Sequence, residues 1–152
     1  MLAKSLIAYL HFIAAFGIAA TLFFEWFTYS RTPTVAEARR LAVADRLYGL
    51  FAMGLLVVGF VRAYSFEKGW AFYLHSPFFH AKLTLFVLIG LISIYPTVRF
   101  IRWAPELKAG RAPQVSEAQH KLISRSLVAE MLLLLGLLLS ASLMANGVGV
   151  SG

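Results

Sequence analysis

The sequence predicts an all-α integral membrane protein, a four-helix bundle of up-and-down connectivity, and three observations carry that prediction. Of its 152 residues, 60% are hydrophobic and only 14% are charged, a balance outside the soluble range. Four apolar segments reach the about 20 residues that a helix needs to cross a bilayer. The basic residues collect between those segments, so the formal net charge of +7 does not form the single aromatic-laced patch of a nucleic-acid binder. The partner this composition calls for is a lipid bilayer, and no nucleic acid. There is no cysteine, which removes disulfides, thiolate metal sites and thiol catalysis.

The expected helices run from about 2 to 29, 41 to 64, 77 to 98 and 122 to 146, and the whole of 1–152 is read as one transmembrane domain. The first span carries no small-residue cleavage site after a short apolar core, so it is expected to be retained rather than removed as a signal peptide. Ser76 followed by Pro77 reads as the cap and first turn of the third helix. Gly147 and Gly149 are expected to release the fourth into a tail. The intervening stretches, 30–40, 65–76 and 99–121, hold most of the prolines and charges.

Orientation follows from the Lys and Arg residues near the helix ends. Arg31, Arg39, Arg40 and Arg46 surround the first loop, and Arg99, Arg102, Lys108, Arg111, Lys121 and Arg125 the third. On the other side stand Lys4, Arg62 and Lys68, with Lys82 a little inside the third helix. Both termini are therefore expected outside, and the two basic loops in the cytoplasm. Short loops make antiparallel neighbours the simplest arrangement.

An ionisable side chain inside hydrocarbon costs about 2.5 to 3.5 kcal/mol on insertion scales and needs a partner. Glu25, Asp45 and Arg46 lie toward the cytoplasmic ends, where ion pairs with one another or with Arg125 are the expected role. Glu130, amid leucines in the fourth span, is expected to hydrogen-bond another helix. The outer half holds His11, about 13 Å along the first helix, and His80, about one turn inside the third, with Lys82 below it and Arg62 at the end of the second.

Two histidines on different helices suit haem b, whose usual axial ligand is imidazole. His11 and His80 are the candidate iron ligands. Ala8, Ala14, Ala15 and Ile18 share a face with His11, leaving room for a macrocycle, and Arg62, Lys68 and Lys82 offer cations to propionates. Interhelical hydrogen bonding is the plain alternative for both histidines. His75 sits in a loop with Trp70, Phe72 and Tyr73, an interfacial aromatic belt, and is the reserve ligand; His120, beside Lys121, is expected in solvent.

The stretches AYLHFIAAFGIAATLFFEW, ADRLYGLFAMGLLVVGFVRAY and YLHSPFFHAKLTLFVLIGLISIYPTVRFIRW resemble a bacterial family of small predicted membrane proteins catalogued as domain of unknown function 2214, over nearly the whole chain. More distantly, a histidine early in helix one, Asp-Arg-Leu-Tyr opening helix two and Phe-His-Ala-Lys-Leu opening helix three resemble HemJ-type protoporphyrinogen oxidases. That likeness falls on His11, Arg46, Leu47, Tyr48, His80, Lys82 and Leu83. The copper-resistance CopD family offers a comparable helical core. The HemJ likeness implies haem b or a related porphyrin as cofactor, with Tyr48 lining its pocket, Lys82 on its carboxylates beside the rim cation Arg62, and an oxidoreductase role that involves a redox partner or quinone. The segment FFEWFTYSRTP and the aromatic second loop depart from the HemJ pattern.

Two other functions compete. A copper-handling or ion-conducting protein would have to draw on Met53, Met131 and Met144 with histidine, because copper(I) prefers thiolate and thioether ligands. A cofactor-free bundle, acting as an assembly subunit or as a homo-oligomer, would use the histidines only as hydrogen-bonding groups.

Overall fold

A computed structural model describes residues 2–65, 75–146 and 148. Its elements are α1 (Leu2–Thr28), α2 (Val35–Ser65), α3 (Pro77–Arg102), the short α4 (Ala104–Lys108) and α5 (Glu117–Ala145). Four helices are long and apolar enough to cross a membrane, α3 counting together with α4, and there is no strand among the described residues. Lys68, Trp70, Phe72, Tyr73, Gly147 and Gly149, which the sequence reading singled out, lie outside the described residues.

Two helices begin earlier than hydropathy suggests because polar caps start them outside the apolar span. α2 opens at Val35, ahead of the expected Leu41, where Glu37 N–H donates to Thr34 Oγ1 at 3.2 Å and Thr34 N–H donates to Glu37 Oε2 at 2.8 Å. α5 opens at Glu117 instead of Leu122 on the same device: Gln119 N–H donates to Ser116 Oγ at 3.2 Å, and Ser116 N–H to Gln119 Oε1 at 3.3 Å. Each reciprocal cap satisfies two otherwise orphaned donors and is worth on the order of 1 kcal/mol. Both were written in the sequence as T-V-A-E and S-E-A-Q. At α3, Ser76 takes the N-cap position and Pro77 the first turn, as expected, but the serine side chain makes no capping bond.

α3 continues past the expected Val98 to Arg102, and α4 folds back beneath the bundle. Trp103 and Leu107 are buried, Trp103 against Phe100 with ring centroids 4.9 Å apart. Arg39 Nη2 donates to the Leu107 carbonyl at 3.0 Å, tying α2 to the C-terminal turn of α4. Gly110, at φ 71°, supplies the left-handed residue that turns the chain away.

The helices pack in ring order, α1 beside α2, α2 beside α3, α3 beside α5 and α5 beside α1; no backbone contact joins α1 to α3 or α2 to α5 among the described residues. This is an up-and-down bundle whose diagonals are α1/α3 and α2/α5. Packing is closest within the pairs α1/α2 and α3/α5. Leu22, Leu41, Phe100, Ile123 and Leu127 form the core toward the end with the basic loops, and Ala63 with Phe79 forms a smaller one toward the end with the termini. Much of the outer surface is apolar, including Phe16, Leu50, Leu91, Leu132 and Leu139, as lipid contact requires.

Candidate functional site

Toward the end with the termini, a cavity of about 200 Å³ opens among the four long helices, with His11, Ala15, Gly59, Ala63, Lys82 and Ala141 among its lining residues. The alanines and the glycine make this room. A Cβ built on Gly59 would stand 3.7 Å from His11 Cε1, so the imidazole edge lies against the bare α2 backbone. Lys82 reaches the cavity past Phe79, its Nζ 5.5 Å from the ring centroid. Arg62 is half-buried at the rim, with Cζ 5.7 Å from the centroid of the lining residue Phe12.

The structure brings His11 and Lys82 to this cavity and does not bring His80 there. His80 is exposed, edge-on to Phe79 at 6.0 Å between centroids, and is not among the lining residues. Residues two apart on a helix point about 200° from one another, so with Lys82 turned inward His80 faces away. α1 and α3 are moreover diagonal partners rather than neighbours. His75 is exposed at the head of α3. His120 is half-buried and stacked on Tyr29 at 5.6 Å, not in solvent as expected.

A second cavity, of about 500 Å³, lies along the seam between α2 and α3 and is lined by Asp45, Arg46, Tyr48, Gly49, Gly90, Ser93 and Thr97 among others. It shares Ala15, Leu55, Leu56, Phe86, Leu137 and Leu138 with the first, so the two adjoin. Joined, they fall within the about 300–1,000 Å³ typical of cofactor and small-molecule sites. Tyr48 belongs to this second cavity, away from His11.

Three carboxyls are buried near Tyr48: Glu25 at 2% exposure, Asp45 at 6% and Glu130 at 1%. The Tyr48 hydroxyl donates to Glu130 Oε2 at 3.0 Å across the α2/α5 diagonal, and Thr97 Oγ1 donates to Asp45 Oδ1 at 2.7 Å. The interhelical bond expected of Glu130 is thus present. The ion pairs expected of Glu25 and Asp45 are absent among the described residues. Arg46 and Arg125 are exposed, because positions one or five residues apart on a helix do not share a face with Asp45 or Glu130. No group of three or more His, Asp or Glu side chains placed to hold a metal occurs among the described residues. Met53 is exposed, Met131 packs on the main core and Met144 on the smaller one, so the methionines do not converge.

A protein family described as predicted membrane protein (DUF2214) matches residues 3–149. The chain belongs to that family. No curated protein and no solved structure matches it.

In this DUF2214 chain, sequence reasoning missed the convergence of Glu25, Asp45, Tyr48 and Glu130. The depths were readable, Glu25 and Asp45 toward the basic loops and Glu130 near the middle of its helix, but no spacing rule links residues on three helices. Thr97 and Ser93 were missed outright; a hydroxyl in a membrane helix commonly bonds its own backbone, as Ser93 does to the Gly90 carbonyl at 2.8 Å, and carries no signal of a tertiary partner.

Proposed function

We propose that the chain is a multi-pass protein of the bacterial cytoplasmic membrane that binds haem b or a related porphyrin beside His11 and works in electron transfer or porphyrin oxidation. The observation that carries the reading is a single imidazole on the wall of an apolar cavity that also holds an inward-turned lysine. The residue types fit the group: His11 would hold the iron, Lys82 and Arg62 would hold carboxylates at the rim, and Ala15, Gly59, Ala63 and Ala141 leave space between the helices. The macrocycle needs the adjoining cavity as well as the first, which brings Tyr48 and Gly90 to its far edge. Haem bound there supplies one-electron chemistry. With His80 turned outward, the reading reduces to a site with His11 as its one protein ligand. The HemJ-like residues His11, Tyr48 and Lys82 support it; a copper site draws no support from the scattered methionines.

The visible spectrum of detergent-purified protein from haem-supplied cells tests this reading. A Soret band that disappears in His11→Ala and persists in His80→Ala and His120→Ala is the expected result. A colourless preparation, or a spectrum unaltered in His11→Ala, overturns it and favours the cofactor-free bundle.

The orientation belongs to the same reading. Ten Lys and Arg residues flank the first and third loops, which supports a reading with both termini outside. Reporters fused at Gly152 should behave as external; cytoplasmic behaviour would turn the His11 cavity toward the cytoplasm.

A further inference from the structure

The buried carboxyls lie away from the His11 cavity, Glu25 standing about 21 Å further along α1 than His11 at 1.5 Å per residue. Glu25 comes from α1, Asp45 from α2 and Glu130 from α5, and each lies within electrostatic reach of another: Asp45 and Glu130 act on Glu25, and Asp45 acts on Glu130. The other groups that face them are Tyr48 from α2 and Thr97 from α3, with Ser93 beside the Tyr48 hydroxyl; Arg46, exposed on the outer side of α2, acts on Asp45 only through its charge. Among the described residues no Lys or Arg salt-bridges any of the three carboxyls.

Donors are the scarce element. The three carboxyls present six acceptor oxygens, and the side-chain donors that meet them are the hydroxyls of Tyr48 and Thr97. Oε1 of Glu25 and Oε1 of Glu130 are buried with no hydrogen-bond partner among the described residues, on side chains that are 2% and 1% exposed. A buried acceptor without a donor costs about 1 to 3 kcal/mol, and more when it is charged. Three carboxylates sharing a site in hydrocarbon also repel one another. Protonating a carboxyl removes its charge and turns one oxygen into a donor for its neighbour. A proton is therefore the ligand that satisfies both deficits.

We propose that Glu25, Asp45 and Glu130 form an intramembrane proton-binding site that exchanges protons with the cleft between α2 and α3 through Asp45 and Tyr48. Asp45 and Tyr48 line that cleft, whereas Glu25 and Glu130 stand behind them. A proton arriving at Tyr48 binds its oxygen as the tyrosine O–H proton passes to Glu130, so the tyrosine ends as it began and Glu130 gains one proton. Asp45 takes a proton directly from the cleft and shares it with Glu25. No electron moves, and no co-reactant is required. The proposal is independent of the haem reading.

Infrared spectroscopy of the full chain in lipid nanodiscs tests it, since the chain has only seven Asp and Glu residues. At neutral pH the wild type should show the C=O stretch of protonated carboxyls, shifting in deuterated buffer. Glu25→Gln, Asp45→Asn and Glu130→Gln should each remove part of that band, with helicity by circular dichroism showing which variants are folded. Tyr48→Phe should keep the band, shift its position and slow its deuterium exchange. A wild type with no protonated-carboxyl band at neutral pH overturns the proposal, as does a band unchanged in every folded carboxyl variant. A band abolished by sodium chloride at constant pH replaces the proton by a metal cation and also overturns it. Exchange in Tyr48→Phe as fast as in the wild type removes the tyrosine route.

Discussion

The seam between α1 and α2 and the seam between α2 and α3 both contain glycine, yet one is closed and the other open. At the first, a Cβ on Gly17 would lie 2.5 Å from Cγ of Phe51, so the absent side chain is the space that the ring fills. At the second, Gly49 and Gly90 line the cleft, and a Cβ on either would meet nothing within 4 Å. In a bilayer, where lipid is as apolar as leucine, helices associate through packing and interhelical hydrogen bonds rather than through burial from water. A glycine then closes a seam only where a large side chain faces it. The candidate sites adjoin the seam where none does.

The comparison is broken most directly by filling each glycine. Gly17→Ala should lower stability by about 1 to 3 kcal/mol, because the aromatic ring of Phe51 cannot yield without moving its own backbone attachment. Gly90→Ala should leave stability unchanged or raise it by up to about 1 kcal/mol through helix propensity. Unfolding of the two variants by graded sodium dodecyl sulfate, followed by circular dichroism, measures both; equal losses would mean that the open seam is closed in the membrane.

A smaller effect is expected from the polar bond across the α2/α5 diagonal. Tyr48→Phe should cost on the order of 1 kcal/mol, since it leaves Glu130 Oε2 without its donor. Glu130→Gln should be tolerated in the same unfolding assay, at less than about 1 kcal/mol, because the amide oxygen can still accept from the tyrosine. If Glu130→Gln destabilised the fold more than Tyr48→Phe, the carboxyl would have a second structural partner.

The smallest effect belongs to the surface. Lys121 and Glu117 pair at 2.9 Å with both side chains 61% exposed, and Lys121→Ala should change stability by no more than about 0.5 kcal/mol. The same scale of effect at Gly17 would erase the distinction between a packed seam and solvent.

Of the candidate site, His11 with Ala15 on its cavity-facing side was legible from helical spacing, and so was Glu130 as an interhelical partner. The inward turn of Lys82 was not. Spacing shows that His80 and Lys82 face apart, but it does not say which one faces in. Asp45 beside Arg46 invites an ion pair on paper, yet the helix turns the acid into the bundle and the arginine out of it.

By itself the sequence determined the number of long helices and, through an even number of crossings, that both ends of the bundle segment lie on one side. It also determined the depth of the ionisable groups within the long helices, because each residue advances a helix by about 1.5 Å. The unequal packing of the seams, the diagonal from Tyr48 to Glu130 and the open α2/α3 seam were decided only by the tertiary structure. A helix in water declares its inner face by a stripe of apolar residues. A helix that is apolar all round declares none, since lipid and core accept the same side chains, and only the fit of one helix against another settles which residues meet.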